Sequence, residues 1–323
     1  MLLALIKWLA RLRRISVAAL LILMLGNFTT RAATIPVPNG SFEFPVPNPI
    51  FPISALIDSW QEMPEPGWYA TNGSGYSWDQ ITGLFGNTAP GSANHIDNMD
   101  GNCAAWLFAV PEAGYFQDYY SVDWNDSAPS HAFDAIYEVG KSYQMTVGLF
   151  GGGAGGNGGM YLGATLELGL YYRDANSNRI PVAATSLTNS AELFTSNTNL
   201  IDFTVTVPTV TAGDAWAGKH IGIQLLSTVT PELQGGYWDL DNVRLVSTLT
   251  PRLVNPAVTN NQFQFTLRSE PGSRFEILAS TNAALTTTSW TVLGTVTNVT
   301  GELPFVDSNP FFAQRFYQAR QLP

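Results

Sequence analysis

The sequence is poor in the residues that most often carry chemistry or staple small folds. There is one cysteine, Cys103, and there are three histidines, His95, His131 and His220, in 323 residues. A lone thiol excludes internal disulfides, so each domain must be held by burial or by a bound metal. Cys103 stands in the apolar run GNCAAWLFAV, where a thiol acts as a small hydrophobe, and it is expected to be buried and inert. No His-x-x-x-His or Cys-x-x-Cys spacing occurs, which removes the usual zinc patterns. A Gly-x-Ser-x-Gly nucleophile elbow is missing too, and HID at 95–97 is no more than a fragment of a dyad. Basic residues are also scarce: 15 Lys and Arg stand against 25 Asp and Glu.

Five of those bases, and no acid, fall in residues 1–33, leaving 10 against 25 and a net charge of −15 for the rest. The deficit is uneven. Residues 34–249 hold 21 acids and 5 bases, whereas 250–323 hold 4 acids and 5 arginines. A strongly acidic chain argues against nucleic acid and anionic membranes as partners. It is compatible with bound cations and with neutral ligands such as carbohydrate, and equally with plain solubility.

Long apolar runs are absent after the start. Lys7, Arg11, Arg13 and Arg14 precede the run ISVAALLILML at 15–25, and TTRAAT supplies small residues for cleavage near Ala32 or Ala33. This pattern predicts a secretory signal peptide over 1–33, because eleven apolar residues are too few to span a bilayer. Secretion beyond the cytoplasm follows, with no membrane insertion once the signal is removed.

A helical stripe is the next thing missing; alternation of period two dominates instead. In YLGATLELGLYYR the residues Leu162, Ala164, Leu166, Leu168, Leu170 and Tyr172 share a face, with Thr165, Glu167 and Arg173 on the other. LIDFTVTVP, HIGIQLLS and SYQMTVGLF alternate likewise, and AAWLFAV at 104–110 is apolar on both faces, as a central strand would be. Short strands separated by Gly and Pro predict an all-β chain: a larger sandwich over 34–248 and a smaller β-domain over 249–323. STLTPRLVNP reads as the linker between them. The tract GGGAGGNGGM at 151–160 lacks the Lys-Ser/Thr of a phosphate loop and reads as a hairpin tip.

Against this background, acids in strands stand out. GGYWDLDNVRLV places Asp239, Asp241 and Asn242 in a strand, where Asp and Asn are disfavoured. Glu43 lies in IPVPNGSFEFPVP near the start, and Asp97, Asn98, Asp100 and Asn102 crowd the approach to the central strand. First and last strands of a sandwich are often neighbours, so these carboxylates could converge on a hard cation, which takes six to eight oxygen ligands. The alternative is that Asp239 and Asp241 cap a strand end and accept turn amides.

The segments PNGSFE, DGNCAAWLF and DLDNVRL together resemble the jelly-roll, galactose-binding-like carbohydrate-binding modules, and the related calcium-containing cyclases of indole alkaloid biosynthesis. The resemblance covers most of 34–247 and implies a jelly-roll fold with a structural calcium held by Glu43, the region of Asp100, and Asp241. The segment beyond 249 is similar to a small β-domain found at the end of many secreted bacterial proteins.

Aromatic side chains are the second signal, since exposed rings stack on sugar faces. Tyr76 and Trp78 in GSGYSWD and Trp124 in VDWND occupy polar, loop-like settings and are the expected ligand contacts; Trp68 and Trp106 are expected in the core. No pair of acids is singled out for catalysis. The expectation is therefore a calcium-stabilised binding protein, with a jelly-roll lyase, hydrolase or cyclase, or an adhesive surface protein, as the alternatives.

Overall fold

A computed structural model describes residues 32–47, 53–69, 75–151, 159–196, 198–260, 262–309, 312 and 314–322. The expected signal peptide and most of the glycine tract lie outside the described residues. Among the described residues no helix is long and apolar enough to cross a membrane. The chain is all-β and divides into two compact units, Thr34–Ser247 and Thr248–Pro323.

The larger unit contains β1 (Ala33–Ile35), β2 (Ile53–Ser54), β3 (Gln61–Glu62), β4 (Thr82–Gly86), β5 (Cys103–Phe108) and β6 (Gly114–Gln117). These are followed by β7 (Lys141–Phe150), β8 (Thr165–Arg173), β9 (Arg179–Thr188), β10 (Ile201–Val207), β11 (Gly222–Ser227) and β12 (Tyr237–Leu249). One seven-stranded sheet runs β10-β7-β12-β5-β4-β2, with β1 also on β12; a five-stranded sheet runs β3-β6-β11-β8-β9. Successive strands keep changing sheet, which is the winding of a jelly-roll sandwich.

The period-two faces expected from the sequence build the core between the sheets. Tyr143, Met145, Val147 and Leu149 of β7 point inward, as do Leu166, Leu168 and Leu170 of β8 and Ile223 and Leu225 of β11. Each such side chain contributes about 1.5–3 kcal/mol when fully buried. The central position expected for AAWLFAV is where β5 sits, hydrogen-bonded between β12 and β4. Two details of the alternation differ. β8 begins only at Thr165, so Leu162 lies outside it and is exposed, and a register shift between Leu170 and Tyr171 turns Tyr171 into a buried residue.

The smaller unit has β13 (Arg252–Thr259), β14 (Gln262–Arg268), β15 (Ser273–Ser280), β16 (Thr291–Asn298), β17 (Glu302–Asp307) and β18 (Phe316–Leu322). They form two three-stranded sheets, β13-β14-β17 and β16-β15-β18, around Phe265, Leu267, Phe275, Ile277 and Ala319. The expected linker is mostly strand: β12 continues to Leu249 and β13 starts at Arg252. Its Thr, Leu and Val suit a strand, and the two prolines alone had suggested otherwise.

Candidate functional site

The acids read from the sequence meet around one loop. After β1, Asn39 folds the chain back: its Oδ1 accepts the Phe44 N–H at 3.1 Å, and its Nδ2 donates to the Phe44 and Asp58 carbonyls at 2.7 and 2.9 Å. The turn lies directly on β12, with Val243 N donating to Gly40 O at 2.7 Å. A Cβ on Gly40 would stand 2.6 Å from the Val243 carbonyl oxygen, so only glycine permits this approach. Glu43 is thereby aimed at the loop before β5, where its Oε1 accepts the N–H groups of Asn102 and Cys103 at 2.8 and 2.7 Å.

Asp241 grips the same loop from β12. Its Oδ2 accepts the Asp100 N–H at 2.5 Å and its Oδ1 accepts the Asn242 N–H at 2.6 Å. Gly101, between the two grips, has φ +89°, and a Cβ there would fall 2.5 Å from Glu43 Oε1. Asn242 takes φ +53°, a left-handed conformation that Asn tolerates better than most residues. The aspartate that looked misplaced in a strand thus holds a loop from deep inside the sheet.

This arrangement has a strong electrostatic signature. Asp241 is 0% exposed. Burial pushes its carboxyl up to about 8, the two amides pull against that, and Asp100 and Glu43 push it further up. Cys103 is buried and unpaired, and its thiol is pushed up to about 11 by burial and then by Glu43 and Asp241, so it is a poor nucleophile at neutral pH. Among the described residues, no lysine, arginine or histidine forms an ion pair with any of the three acids. Nor do any three His, Cys, Asp or Glu side chains stand ready to hold a metal by themselves. Asp100 contributes its backbone N–H while its side chain is exposed. The donor chemistry nevertheless fits a hard cation. Carboxylate oxygens that each accept amide bonds retain lone pairs, and backbone carbonyls and water commonly complete such spheres.

The expected ligand aromatics scatter. Tyr76 is 55% exposed and stands edge-on to Phe108, which in turn stacks on Tyr237. Trp124 is 40% exposed and meets Phe44 edge-on at 6.1 Å. Trp78 is a core residue: it is 6% exposed, packs on Tyr69 at 4.8 Å and donates its Nε1–H to Met63 O at 2.6 Å. The polar segment around it forms a short helical turn, in which Gln80 Oε1 accepts the Ser77 N–H at 3.0 Å, and that turn swings the indole inward. Trp68, expected in the core, is 37% exposed and donates to Glu112 Oε1 at 2.9 Å. Trp106 is half-buried.

Sequence reading missed a row of residues across the outer face of the five-stranded sheet. Strand register aligns Gln61, Phe116, Gln224, Gly169 and Ala184 on β3, β6, β11, β8 and β9 in turn. Gln61, Phe116 and Gln224 are half-buried and Ala184 is exposed. Gln61 Nε2 donates to Val122 O at 3.0 Å, while its Oε1 is buried and has no hydrogen-bond partner among the described residues. One step along the sheet, the Tyr171 ring lies over Gly222, where a Cβ would stand 2.3 Å from it, and the Tyr171 hydroxyl reaches Asp118 Oδ2 at 2.5 Å. Nearby, Tyr119 is sandwiched between His131 and His220 at 4.1 and 4.0 Å. His220 is thus a partly covered stacking residue. Alternation in HIGIQLLS puts Gln224 on the polar face but does not reveal its cross-strand neighbours, an aromatic ring and a glycine.

One further acid has an unusual setting. Glu62 is pushed up to about 7 by burial; its bond from Thr82 opposes the shift, and Asp79 and Glu65 reinforce it. Thr82 Oγ1 donates to Glu62 Oε1 at 2.8 Å.

No protein-family model matches this chain, and no curated protein matches it. Solved structures do resemble it. A cyclase from Fischerella sp. TAU is 25% identical with a TM-score of 0.44, covering 67% of this chain and 98% of its own. The Stig cyclase Fisc of the same organism, in complex with (3Z)-3-(1-methyl-2-pyrrolidinylidene)-3H-indole, is 22% identical with a TM-score of 0.45, covering 68% and 100%. The CBM22-1-CBM22-2 tandem domain of Paenibacillus barcinonensis Xyn10C is 9% identical with a TM-score of 0.37, covering 90% and 86%. The two kinds of protein that the sequence resembles, cyclases and carbohydrate-binding modules, both recur among these structures.

Proposed function

We propose that the protein is a secreted carbohydrate-binding protein whose larger unit is fastened by a calcium ion. The observation that carries the binding reading is the row Gln61–Phe116–Gln224–Gly169–Ala184. It offers an aromatic face flanked by amides, small residues that leave room above the sheet, and a buried amide oxygen without a partner. Sugars are bound by this mixture of ring stacking and hydroxyl-to-amide hydrogen bonds. The signal-like segment at 1–33 supports export, and the scarcity of bases supports a partner that is neither nucleic acid nor an anionic membrane. Tyr76 and Trp124, both exposed, are secondary contacts in this reading; Trp78 is not.

Calcium is supported by the buried, raised Asp241 carboxyl beside Glu43 and Asp100. An ion there would offset the repulsion among the three acids, with Glu43, Asp241 and the Asp100 region as its holders. Two measurements test the proposal. Calorimetric titration against a panel of soluble polysaccharides should detect binding, and Phe116→Ala should weaken it by about tenfold or more. Binding to none of the panel would sink the carbohydrate reading. Chelating divalent ions should lower the melting temperature of the larger unit; a melt indifferent to chelator would remove the ion.

Glu62 favours a second reading, a jelly-roll enzyme of lyase, hydrolase or cyclase type. A carboxyl that titrates near neutrality can serve as a general acid. Under that reading Glu62→Gln abolishes turnover of a small aromatic or glycosidic substrate without altering its binding; a variant that turns over at the wild-type rate would exclude Glu62 from the chemistry.

A further inference from the structure

The acidic larger unit brings two of its arginines face to face. Its five bases include Lys141 and Arg244, which pair with the exposed Glu138 and Asp202. Arg173 and Arg179 stand directly opposite each other on β8 and β9, at the ends of the hairpin whose turn is 174–178. Like charges facing across a strand pair are destabilising, so the pair needs a reason. Asp118, 4% exposed, is the carboxylate that balances them. It already accepts three bonds, from Arg173 Nε at 2.7 Å, Tyr171 OH at 2.5 Å and Tyr120 N at 2.8 Å, and no bond from Arg179 is among them. Arg173 also spends Nη1 on Ser177 O at 2.8 Å.

Arg179 is left over. Among the described residues it forms no ion pair, and its Nη1 is buried without a hydrogen-bond partner. Its guanidinium lies 4.4 Å from the centroid of the Phe116 ring, the aromatic member of the row described above, and the Arg173 guanidinium lies 5.6 Å from the same ring. Burial lowers the Arg179 pKa and Arg173 presses in the same direction, while Tyr171 and Asp118 oppose the shift. A planar fork of donors, positioned by stacking and lacking an acceptor, matches a carboxylate in two-point contact.

We infer that Arg179, steadied by Phe116 and backed by Arg173, receives the carboxylate of an acidic sugar residue bound along the Gln61–Phe116–Gln224 row. This rests on the carbohydrate reading and narrows its substrate class to uronate-bearing glycans. Phe116 then serves twice, stacking on the guanidinium and bordering the sugar, and Gln61 Oε1 finds its donor among the hydroxyls. The net negative charge of the unit keeps polyanions from adhering generally, so recognition depends on this one spot.

The test uses the full chain and three glucuronate- or galacturonate-bearing polysaccharides. Each is paired with the same polymer after its carboxyl groups have been reduced to alcohols, and free glucuronate and acetate form separate arms. At least one acid polymer should bind about tenfold more tightly than its reduced partner, with the preference shrinking as salt rises. Arg179→Gln should bring the acid form down to the affinity of the reduced form while leaving the melting temperature unchanged or higher, since an unpaired buried charge is removed. Arg179→Lys keeps the charge, loses the fork and should fall between. Equal affinity for every acid and reduced pair overturns the inference but leaves the carbohydrate reading standing. Arg179-dependent binding of free acetate or glucuronate, with no polysaccharide bound, supports the carboxylate site and overturns the sugar row. A wild-type preference retained in Arg179→Gln, or a large loss of stability in that variant, would make Arg179 a structural brace and refute the proposal.

Discussion

The two units handle charge in opposite ways. In the smaller one every acid has a donor close by: Glu276 pairs with Arg320, Glu302 with Arg268, Asp307 with Arg315, and Glu270 Oε1 accepts the Leu249 N–H at 3.0 Å. Its buried Asn298 is likewise satisfied, donating to Leu267 O and Ser269 Oγ and accepting the Gly301 N–H. The larger unit instead crowds acids around 100–103, leaves a guanidinium without an acceptor and half-buries Glu62. A domain whose acids are each matched locally has less electrostatic need of a ligand, although Gln321 Oε1 there is buried without a partner among the described residues. One that leaves groups of both signs uncompensated is suited to binding something.

That contrast can be broken by experiment. The largest effect is expected from Glu43→Ala, which strips two amides of their acceptor and removes a cation holder. Unfolding in urea with calcium present should show a loss of about 3 kcal/mol. Tryptophan fluorescence reports this unit almost alone, because Trp290 is the sole tryptophan beyond residue 248. In the smaller unit, Arg315→Ala leaves the buried Asp307 with the Tyr317 hydroxyl at 2.8 Å and the Asn309 N–H at 3.0 Å. It should cost about 2 kcal/mol, and the cost should be the same with or without chelator. A chelator-sensitive loss there would mean that the two units are not independent in their use of ions.

A smaller effect concerns pH. Glu62 titrates near 7 when folded against 4.5 in its ordinary state. Its raised pKa leaves stability intact below pH 4.5 and erodes it as pH climbs toward 7, because the unfolded chain ionises first. Glu62→Gln should therefore flatten the melting profile over that window and raise the melting temperature at pH 8 by about a few degrees. An unchanged slope would show that Glu62 is not burdened by burial. The smallest effect belongs to Arg268→Ala on the exposed Arg268–Glu302 pair, where less than about 0.5 kcal/mol should be lost.

How much of this was legible in the sequence depends on whether a residue violated its surroundings. Asp241 and Glu43 were found because carboxylates in a strand and beside a proline-bounded turn are out of place, and remote oddities of one sign invite convergence. The alternative reading, an aspartate accepting turn amides, describes the bonds Asp241 makes; what could not be read was that it and Glu43 would share one loop, through the amides of 100, 102 and 103. Leu168, Ile223 and Met145 were legible because alternation alone buries them. Trp78 misled because Ser, Gly and Asp around it look like a loop, whereas a single capped turn points its ring inward. Arg173 obeyed alternation on the polar face of its run, and nothing in the sequence marked Arg179 by itself. Their pairing was written in RDANSNR, with arginines placed symmetrically about a turn, but their lack of an acceptor depends on Asp118, far away in sequence.

The place of β12 has a consequence for how the molecule is made. The last strand of the larger unit lies between β7 and β5 in the interior of its sheet and also pairs with β1. A nascent chain cannot zip that sheet shut until residues near 249 have left the ribosome, and contacts so distant along the chain form slowly. The polypeptide therefore stays open for most of its synthesis. During that interval it can still be threaded through a narrow pore, which a finished sandwich could not enter.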